Sequence, residues 1–482
     1  MNQTLNSKNI FKNKKVLLVG LGRLGGGLAM AKFFIARGAR LTVTDLKTAT
    51  ELRDSIKKLN AYFKKVSLSR TPSIKMVLGK HQKEDFVRNE IIACSPAVSI
   101  DSMLIKLAFK AKKRVENDLS LFLELLRGRN VDYIAITGTR GKTTTTHWLR
   151  YFTGGVLGGN QPQRGFLNII AKKTKLFVLE LSSFQLEFMR KGLPAPKVAI
   201  VTNLYVDHIN RHGTFTKYAN TKANIFLNQT KNDFLILNAD DLNIQLFLSR
   251  KPKSAVLYTS LYSLPKAKNG LFFVGDKIYF QRVGRKELIT EVLGMSNHEK
   301  QNLLAAMLGA RLYGVSWESI VLKIKTVPSV ALRQEVIFKK NGLTVINDSA
   351  ATSPEATLAA LEKFKHTENL ILITGGTDKQ LEFKALAKKI KTTIPQKNLC
   401  ILEGSATKKL IGELKKINYF KKEPRIFENL QSIIQSIDVL TSNRSSLITV
   451  LFSPGAASFE KFKNEFDRGK KFNELVRRYF KN

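Results

Sequence analysis

Lys142 and Thr143 close a glycine-spaced loop in the run ITGTRGKTTTT, residues 136–146, between an apolar stretch and the segment THWLRYF. The spacing reads as a phosphate-binding loop. Gly138 and Gly141 let the backbone approach phosphate oxygens and turn its N–H groups inward. Lys142 offers a point charge to the β- and γ-phosphates of a nucleotide, and the Thr143 hydroxyl suits Mg²⁺. A helix starting at the loop favours an anion at its N-terminus. The common ATP loop carries a glycine five residues before the glycine of its Gly-Lys pair. Here that position is Ile136, inside the apolar run. A glycine turn beside a threonine run is the plain alternative.

Other residue types could do chemistry near such a loop. Glu180 ends the apolar run of LELSSFQLE, and Asp207 and His208 stand in TNLYVDHINRHG, read as a second strand end. A carboxylate and an imidazole there can serve a metal. Lys222, one of 80 Lys and Arg residues, reads locally as a surface lysine, and Asp348 in NDSAATSPEAT reads as an N-cap region. Gly20-x-Gly22-x-x-Gly25 follows KVLLV, with Asp45 twenty residues after Gly25. That is a dinucleotide fingerprint, with the acid placed for a ribose. It fits NAD, and it fits any nucleoside diphosphate.

The elements that must position these residues fall into three βα-rich blocks. The first opens with a βαβ unit over residues 15–45 and adds IKMVLGK and EIIACSPAV as strands. The second starts around VENDLSLFLELL and carries strands in KLFVLE, KVAIVTN and DFLILNADD. It continues with short strands and turns to about residue 290 and an amphipathic helix in NHEKQNLLAAMLGARLYG. The third begins near ALRQEVIF, with strands LTVINDS, NLILITGG, NLCILEG and LITVLFSPGAAS. Strands alternating with helices predict an α/β class with mainly parallel sheets.

The chain has 482 residues, 43% of them hydrophobic, enough for several domains. Two distant cysteines, Cys94 and Cys400, offer neither a disulfide framework nor zinc spacing. The first twenty residues lack a signal-peptide core, and no apolar run is long enough to span a bilayer, so a cytoplasmic location is expected. The net charge of +42 is spread along the whole chain rather than gathered in an arm. It favours polyanionic small substrates, and non-specific attraction to nucleic acid or a membrane surface is a second consequence.

Taken in order, GLGRLGGGLAMAKFFIARG, CSPAV, ENDLSLF, ITGTRGKTTTT, LELSSFQLE, TNLYVDHINRHGTFTKYANTKANIF, HEKQN, VINDSAATSPEATLAAL, GGTDKQLEF and FSPGAASFEKFKNEFDRG resemble the Mur ligases over nearly the whole chain. LELSSFQLE and the last block most resemble the D-glutamate branch. The resemblance implies three α/β domains. These are a Rossmann-like UDP-substrate-binding domain at 1–115, a central ATP-binding domain with a P-loop-type sheet at 116–329, and a Rossmann-like amino-acid-binding domain at 330–482. It implies an ATP-dependent amide ligase of peptidoglycan biosynthesis, acting as a monomer with no obligate protein partner. UDP-N-acetylmuramoyl-L-alanine (UDP-MurNAc-L-Ala) would be activated as an acylphosphate and joined to D-glutamate.

By the same resemblance, ATP is held by Gly138, Thr139, Arg140, Gly141, Lys142, Thr143 and Thr144, with Asn302 at the adenine. Arg333 and Asp348 reach the nucleotide from the third domain. Thr143 and Glu180 serve one Mg²⁺ and His208 a second. Lys222 matches a lysine that is carbamylated in this family and would join the metal ligands. Lys142, His208 and Lys222 would carry the catalysis. Gly20, Leu21, Gly22, Asp45 and Lys47 hold the UDP end, which reassigns the fingerprint away from NAD. Asn160 and His208 meet the same substrate in the central domain. Thr352, Lys379 and Ser458 take the amino acid.

Four positions depart from the family pattern: Arg140 for the usual Asn, Gln161-Pro162 for Ile-Gly, Ala350 for a common lysine, and Glu465 where an aromatic is expected. The last two bear on the amino-acid site, where an unmatched charge costs on the order of 1–3 kcal/mol. They leave open a sister ligase that adds L-glutamate or another residue. A folate ligase runs against LELSSFQLE. A basic nucleic-acid-binding protein with vestigial machinery runs against the intact Lys142, Thr143, Glu180, His208 and Lys222.

Overall fold

Short apolar runs ending in Gly, Asp, Glu or Asn become the strands of three sheets. The structure is a computed structural model of the chain, described over residues 10–23, 25–67, 73–160, 164–283, 285–441 and 447–480. In the first sheet β1 (Lys15–Val19), β2 (Arg40–Asp45), β3 (Ser73–Leu78), β4 (Ile91–Cys94) and β5 (Arg114–Asn117) lie parallel in the order β3-β2-β1-β4-β5. Val16 to Val19 are all buried, since helices cover both faces of a central parallel strand. The strand order reverses between β1 and β4. The turn at Gly20 and the loop after Cys94 therefore flank one crevice, the place where open α/β sheets take ligands. β5 runs two residues past 115: Glu116 and Asn117 pair with Ala93 and Cys94.

The close-packing glycine of this unit is not the one the fingerprint names. A Cβ on Gly27, in helix Gly26–Ile35, would lie 2.1 Å from the Gly20 carbonyl oxygen and 2.5 Å from that of Leu21. A Cβ on Gly25 would meet nothing within 4 Å. Gly27 is what lets the helix seat against the turn.

The second sheet holds β6 (Asp132–Thr137), β7 (Val156–Gly159), β8 (Leu176–Glu180), β9 (Val198–Val201), β10 (Phe234–Asn238) and β11 (Ala255–Ser260). It adds β12 (Gly270–Val274), β13 (Lys277–Arg282) and β14 (Arg285–Glu291). Its order is β14-β13-β12-β11-β10-β9-β6-β8-β7, parallel from β7 to β12, with β12, β13 and β14 forming an antiparallel meander at one edge. Helix Asn297–Leu312 was expected to be amphipathic. Instead Asn302 to Ala310 are buried without a break, because the helix packs both on the sheet and against helix Lys142–Thr153 beside it. Gly309 packs there against Ile200 and Leu149.

The third sheet consists of β15 (Glu335–Lys340), β16 (Leu343–Asn347), β17 (Leu370–Gly375), β18 (Leu399–Leu402), β19 (Ile426–Phe427) and β20 (Ile448–Phe452), in the order β15-β16-β20-β17-β18-β19. Only β15 is antiparallel. Apolar clusters pack on both faces, one around Leu372 and Leu451, the other around Ile373 and Phe452. The chain divides into two compact units, Met1–Val327 with the first two sheets and Pro328–Asn482 with the third. The architecture is thus three α/β domains, N-terminal, middle and C-terminal. Among the described residues no helix is long and apolar enough to cross a membrane.

Gly27→Ala should destabilise the first unit by about 1–3 kcal/mol, since its new methyl meets backbone rather than a yielding side chain. Gly26→Ala, whose Cβ would meet only Pro96 Cδ at 3.7 Å, should be near neutral. Paired thermal unfolding of the two variants checks this.

Candidate active site

The phosphate loop leaves β6 at Thr137, and Ile136 lies within that strand, in register with Glu180 at the end of β8. Gly141 caps helix Lys142–Thr153 with φ +80°, where a Cβ would lie 2.2 Å from Asn302 Oδ1. A side chain at 141 would therefore be strained and would displace Asn302. Asn302 is buried and accepts a hydrogen bond from Thr145 Oγ1 (3.3 Å).

The loop backbone is held open from outside. Arg140 N–H donates to Asn203 Oδ1 (2.8 Å) and Thr139 N–H to the Asn203 carbonyl (3.0 Å). The Arg140 carbonyl accepts from Thr202 Oγ1 (2.6 Å) and Asn203 Nδ2 (3.2 Å). Lys142 Nζ curls over the loop to the carbonyls of Gly138 (2.9 Å) and Thr139 (3.1 Å). Thr143 and Thr144 occupy the first helical turn, half-buried.

Lys222 overturns its surface reading. Helix Phe215–Ala223 turns Tyr218, Ala219, Lys222 and Ala223 inward, and Lys222 is 2% exposed. Its Nζ donates to the Gly138 carbonyl (2.8 Å) and lies 4.7 Å from the centre of the Tyr218 ring. Burial first, then the charge of Lys142, drives its ammonium well below an ordinary lysine's pKa. Two amine-bearing side chains thus converge on one carbonyl at the mouth of the loop.

His208 and Asp207 lie beyond β9 rather than at its end. His208 caps the short helix Ile209–His212 in a left-handed conformation, φ 53°. Its ring sits edge-on to Phe184 (5.0 Å) and 6.3 Å from Tyr218. Asp207 pairs with Arg140 at 2.8 Å. Burial raises the Asp207 carboxyl, but the charges of His208 and Arg140 outweigh it and hold the group low. Tyr218 Oη meets Thr139 Oγ1 at 3.2 Å. Tyr218 is therefore the common neighbour of the loop, Lys222 and His208. Sequence reasoning passed over it, and over Asn203 as well. An aromatic four residues before Lys222, on the same helical face, was the available signal for Tyr218.

Glu180 is buried at its strand end, with the Asn160 N–H bonded to its carbonyl (2.9 Å). Asn160 itself is exposed, and Gln161 and Pro162 lie outside the described residues. A buried carboxylate and a hydroxyl at 143 are hard oxygen donors that suit Mg²⁺. Among the described residues no three of His, Cys, Asp and Glu form a metal cage. A cation here would complete its shell with phosphate and water oxygens.

On the first sheet, Asp45 ties the Gly20 turn down. Its carboxylate accepts from Gly22 N–H (3.0 Å) and Lys47 N–H (2.9 Å), and Ser55 Oγ donates to the Gly22 carbonyl (2.7 Å). Leu21 is buried beneath the turn, and Lys47 stands half-buried at the rim.

On the third sheet, Asp348 is not a cap, since Ser353 caps helix Pro354–Lys363. Asp348 follows β16 and accepts from Gln334 N–H (3.2 Å) and Ser453 Oγ (2.8 Å). Burial pushes its carboxyl up to about 7, against Ser453 and the nearby charge of Arg333. Thr377 and Ala457 exchange backbone hydrogen bonds, which brings the loops of Lys379 and Ser458 together. Ser458 is buried, Thr352 half-buried and Lys379 exposed, 6.0 Å from the Phe459 ring centre.

Arg468, fully buried, braces this end. It donates to the carbonyls of Ala456 and Ala457 (3.0 Å each) and Ser349 (2.8 Å), and burial lowers its pKa to about 10. Glu465 opens helix Glu465–Tyr479 close enough for its charge to oppose that drop.

Because Asp348 holds its proton more tightly folded than unfolded, its contribution to stability is fully present below about pH 4. It is lost as pH rises towards 7. Between pH 4.5 and 7.5 the wild type should lose on the order of 2 kcal/mol or more relative to Asp348→Asn. Urea unfolding of both proteins at the two pH values measures the difference.

Residues 14–116 match the Mur ligase MurD-like N-terminal domain and residues 136–310 the Mur ligase middle domain. The UDP-N-acetylmuramoylalanine–D-glutamate ligase of Roseiflexus sp. (strain RS-1) is 34% identical over 478 residues, covering 96% of this chain and 98% of the relative. That of Borreliella afzelii (strain PKo) is 33% identical over 481 residues, covering 96% and 98%. Among solved structures, UDP-N-acetylmuramate-alanine ligase MurC from Thermotoga maritima aligns with TM-score 0.56 at 19% identity, covering 96% of this chain and 99% of that one. MurF from Acinetobacter baumannii aligns with TM-score 0.58 at 14% identity, covering 97% and 94%. At those identities the structures speak for the fold. With relatives this similar over nearly its full length, the chain belongs to the Mur ligase family.

Proposed function

We propose that this chain is an ATP-dependent ligase that adds D-glutamate to UDP-MurNAc-L-Ala in peptidoglycan biosynthesis. The full-length relatives of that name support the reaction. The observation that carries it in this molecule is the convergence of Lys142 and Lys222 on the Gly138 carbonyl, within a preformed loop. Joining a carboxylate to a polyphosphate brings like charges together; Lys142 supplies positive charge there, and Lys222 lies beside it at the same carbonyl.

In the reaction, a carboxylate oxygen of the L-alanyl group attacks the γ-phosphorus of ATP and ADP leaves. The D-glutamate amine then attacks the acyl carbon, loses a proton, and phosphate departs. Lys142 exchanges its two carbonyl partners for phosphate oxygens. Gly138 to Thr144 present the loop and first helical turn to the phosphates, with Asn302 at the adenine and Arg333 and Asp348 completing nucleotide binding. Thr143 and Glu180 would hold one Mg²⁺, and His208 with Lys222 a second, offsetting the charge on the reacting oxygens.

For Lys222 to act there, its neutral amine takes up CO₂ as a carbamate and releases a proton. The depressed pKa of the buried amine supports that step. Gly20, Leu21, Gly22, Asp45 and Lys47 receive the UDP end, Asn160 and His208 the remainder, and Thr352, Lys379 and Ser458 the amino acid. The domain limits fall near 115 and 329, with β5 ending just past the first. The protein works in the cytoplasm as a monomer without an obligate partner.

Phosphate release, with product mass, from ATP, Mg²⁺ and UDP-MurNAc-L-Ala should require D-glutamate and give a glutamate-sized mass gain. Turnover with L-glutamate alone would move the chain to a sister specificity, with Ala350 and Glu465 as the first residues to exchange. No turnover with any amino acid would defeat the reading. Lys142→Ala should lower kcat by at least about 1,000-fold with little change in melting temperature. Normal turnover in that variant would refute the site assignment.

A further inference from the structure

Arg211 has no part in the site as assigned, yet it is among the most heavily bonded side chains near it. It lies three residues after His208 on helix Ile209–His212. Its Nε and Nη2 hold both carboxylate oxygens of Glu187 (2.9 and 2.7 Å), with side chains 13% and 6% exposed. Nη1 donates to the Ala97 carbonyl and Nη2 also to that of Val98, both at 2.7 Å.

Those carbonyls belong to the loop that follows β4, across the crevice from the Gly20 turn. Ser95 and Val98 of that loop pack on Gly20 itself: a Cβ there would lie 2.4 Å from Ser95 Oγ and 3.5 Å from Val98 Cγ2. On its other side the guanidinium covers the Phe184 ring at 4.9 Å, and Phe184 meets the His208 ring. One side chain therefore links the turn assigned to the UDP end with the histidine assigned to the reacting end. A guanidinium does this with a planar, rigid fork, where a loop held by carbonyls alone would drift.

We propose that Arg211 is a positioning residue that fixes the distance between the UDP-binding turn and His208, so that UDP-MurNAc-L-Ala engages both at once. This rests on the ligase reading above. A ligand with two anchors gains affinity only when their spacing matches its span. Arg211 therefore matters for the long substrate and not for a fragment that touches one anchor.

The test compares Kd for UDP with Kd for UDP-MurNAc-L-Ala by calorimetry in wild type, Arg211→Ala, Arg211→Lys and Glu187→Gln, with KM for ATP from phosphate release. In Arg211→Ala the long substrate should bind about tenfold or more weaker, while UDP and the KM for ATP stay within about twofold. Arg211→Lys, with its charge but no fork, should recover part of the loss. A purely structural role would weaken UDP and UDP-MurNAc-L-Ala alike, and that result, or no change in either, overturns the proposal. Should Arg211→Ala fail to fold, Glu187→Gln, which keeps the shape and removes the pairing charge, must show the same split. Wild type that binds UDP but not UDP-MurNAc-L-Ala would refute the ligase reading, and the spacing role with it.

Discussion

A loop that binds phosphates through its own N–H groups must stay open before the phosphates arrive, which calls for partners outside it. Here the task falls to two residues just past β9. Thr202 and Asn203 grip Thr139 and Arg140 through N–H and carbonyl alike. β9 can supply them because it is the in-register neighbour of β6, with Thr137 opposite Val201. The helix that follows inherits a fixed start, so Gly141, Asn302 and Lys142 fall into place around it. Preorganisation of this kind spares the site a reorganisation cost when ligand binds.

Charge is the second theme. The chain carries +42 overall, but bulk charge steers polyanions without aiming them. Aim comes from a few basic side chains placed at cost. Lys222 gives up its water and much of its basicity for one carbonyl and the face of one ring. Arg468 gives up its water for three carbonyls, and in return fixes the segments around Ser349 and Ala457. Arg140 spends its charge on Asp207 and so ties the phosphate loop to the His208 turn.

How far the sequence carried depended on how local each feature is. The phosphate loop was legible because its chemistry lies in eleven consecutive residues, 136–146. Most strands were legible because parallel strands buried on both faces read as unbroken apolar runs. Lys222 was not, because its burial depends on the Gly138 loop and Tyr218, and Tyr218 alone left a trace at helical spacing. Asp348 read as a cap because an acid followed by Ser and Thr before a helix usually is one. Its partner there is Ser453, 105 residues on. Helix Asn297–Leu312 misled in the opposite sense: its apolar face reads as a stripe until a neighbouring helix covers a second side. Arg211 could not be found at all, since its carbonyl partners lie 113 and 114 positions away.

The strand order of the third sheet has a consequence for the growing chain. β20 lies between β16 and β17, pairing Leu343 with Ile448 on one side and Leu370 with Thr449 on the other. Until residues 448–452 have been made, β16 and β17 have no shared neighbour, and the apolar faces beside them stay uncovered. The first sheet is different, since residues 15–117 contain all of its strands. During synthesis the N-terminal domain can therefore close early, while the C-terminal domain waits for its last strand. That interval is when the nascent chain most exposes Val345, Ile371 and Ile373.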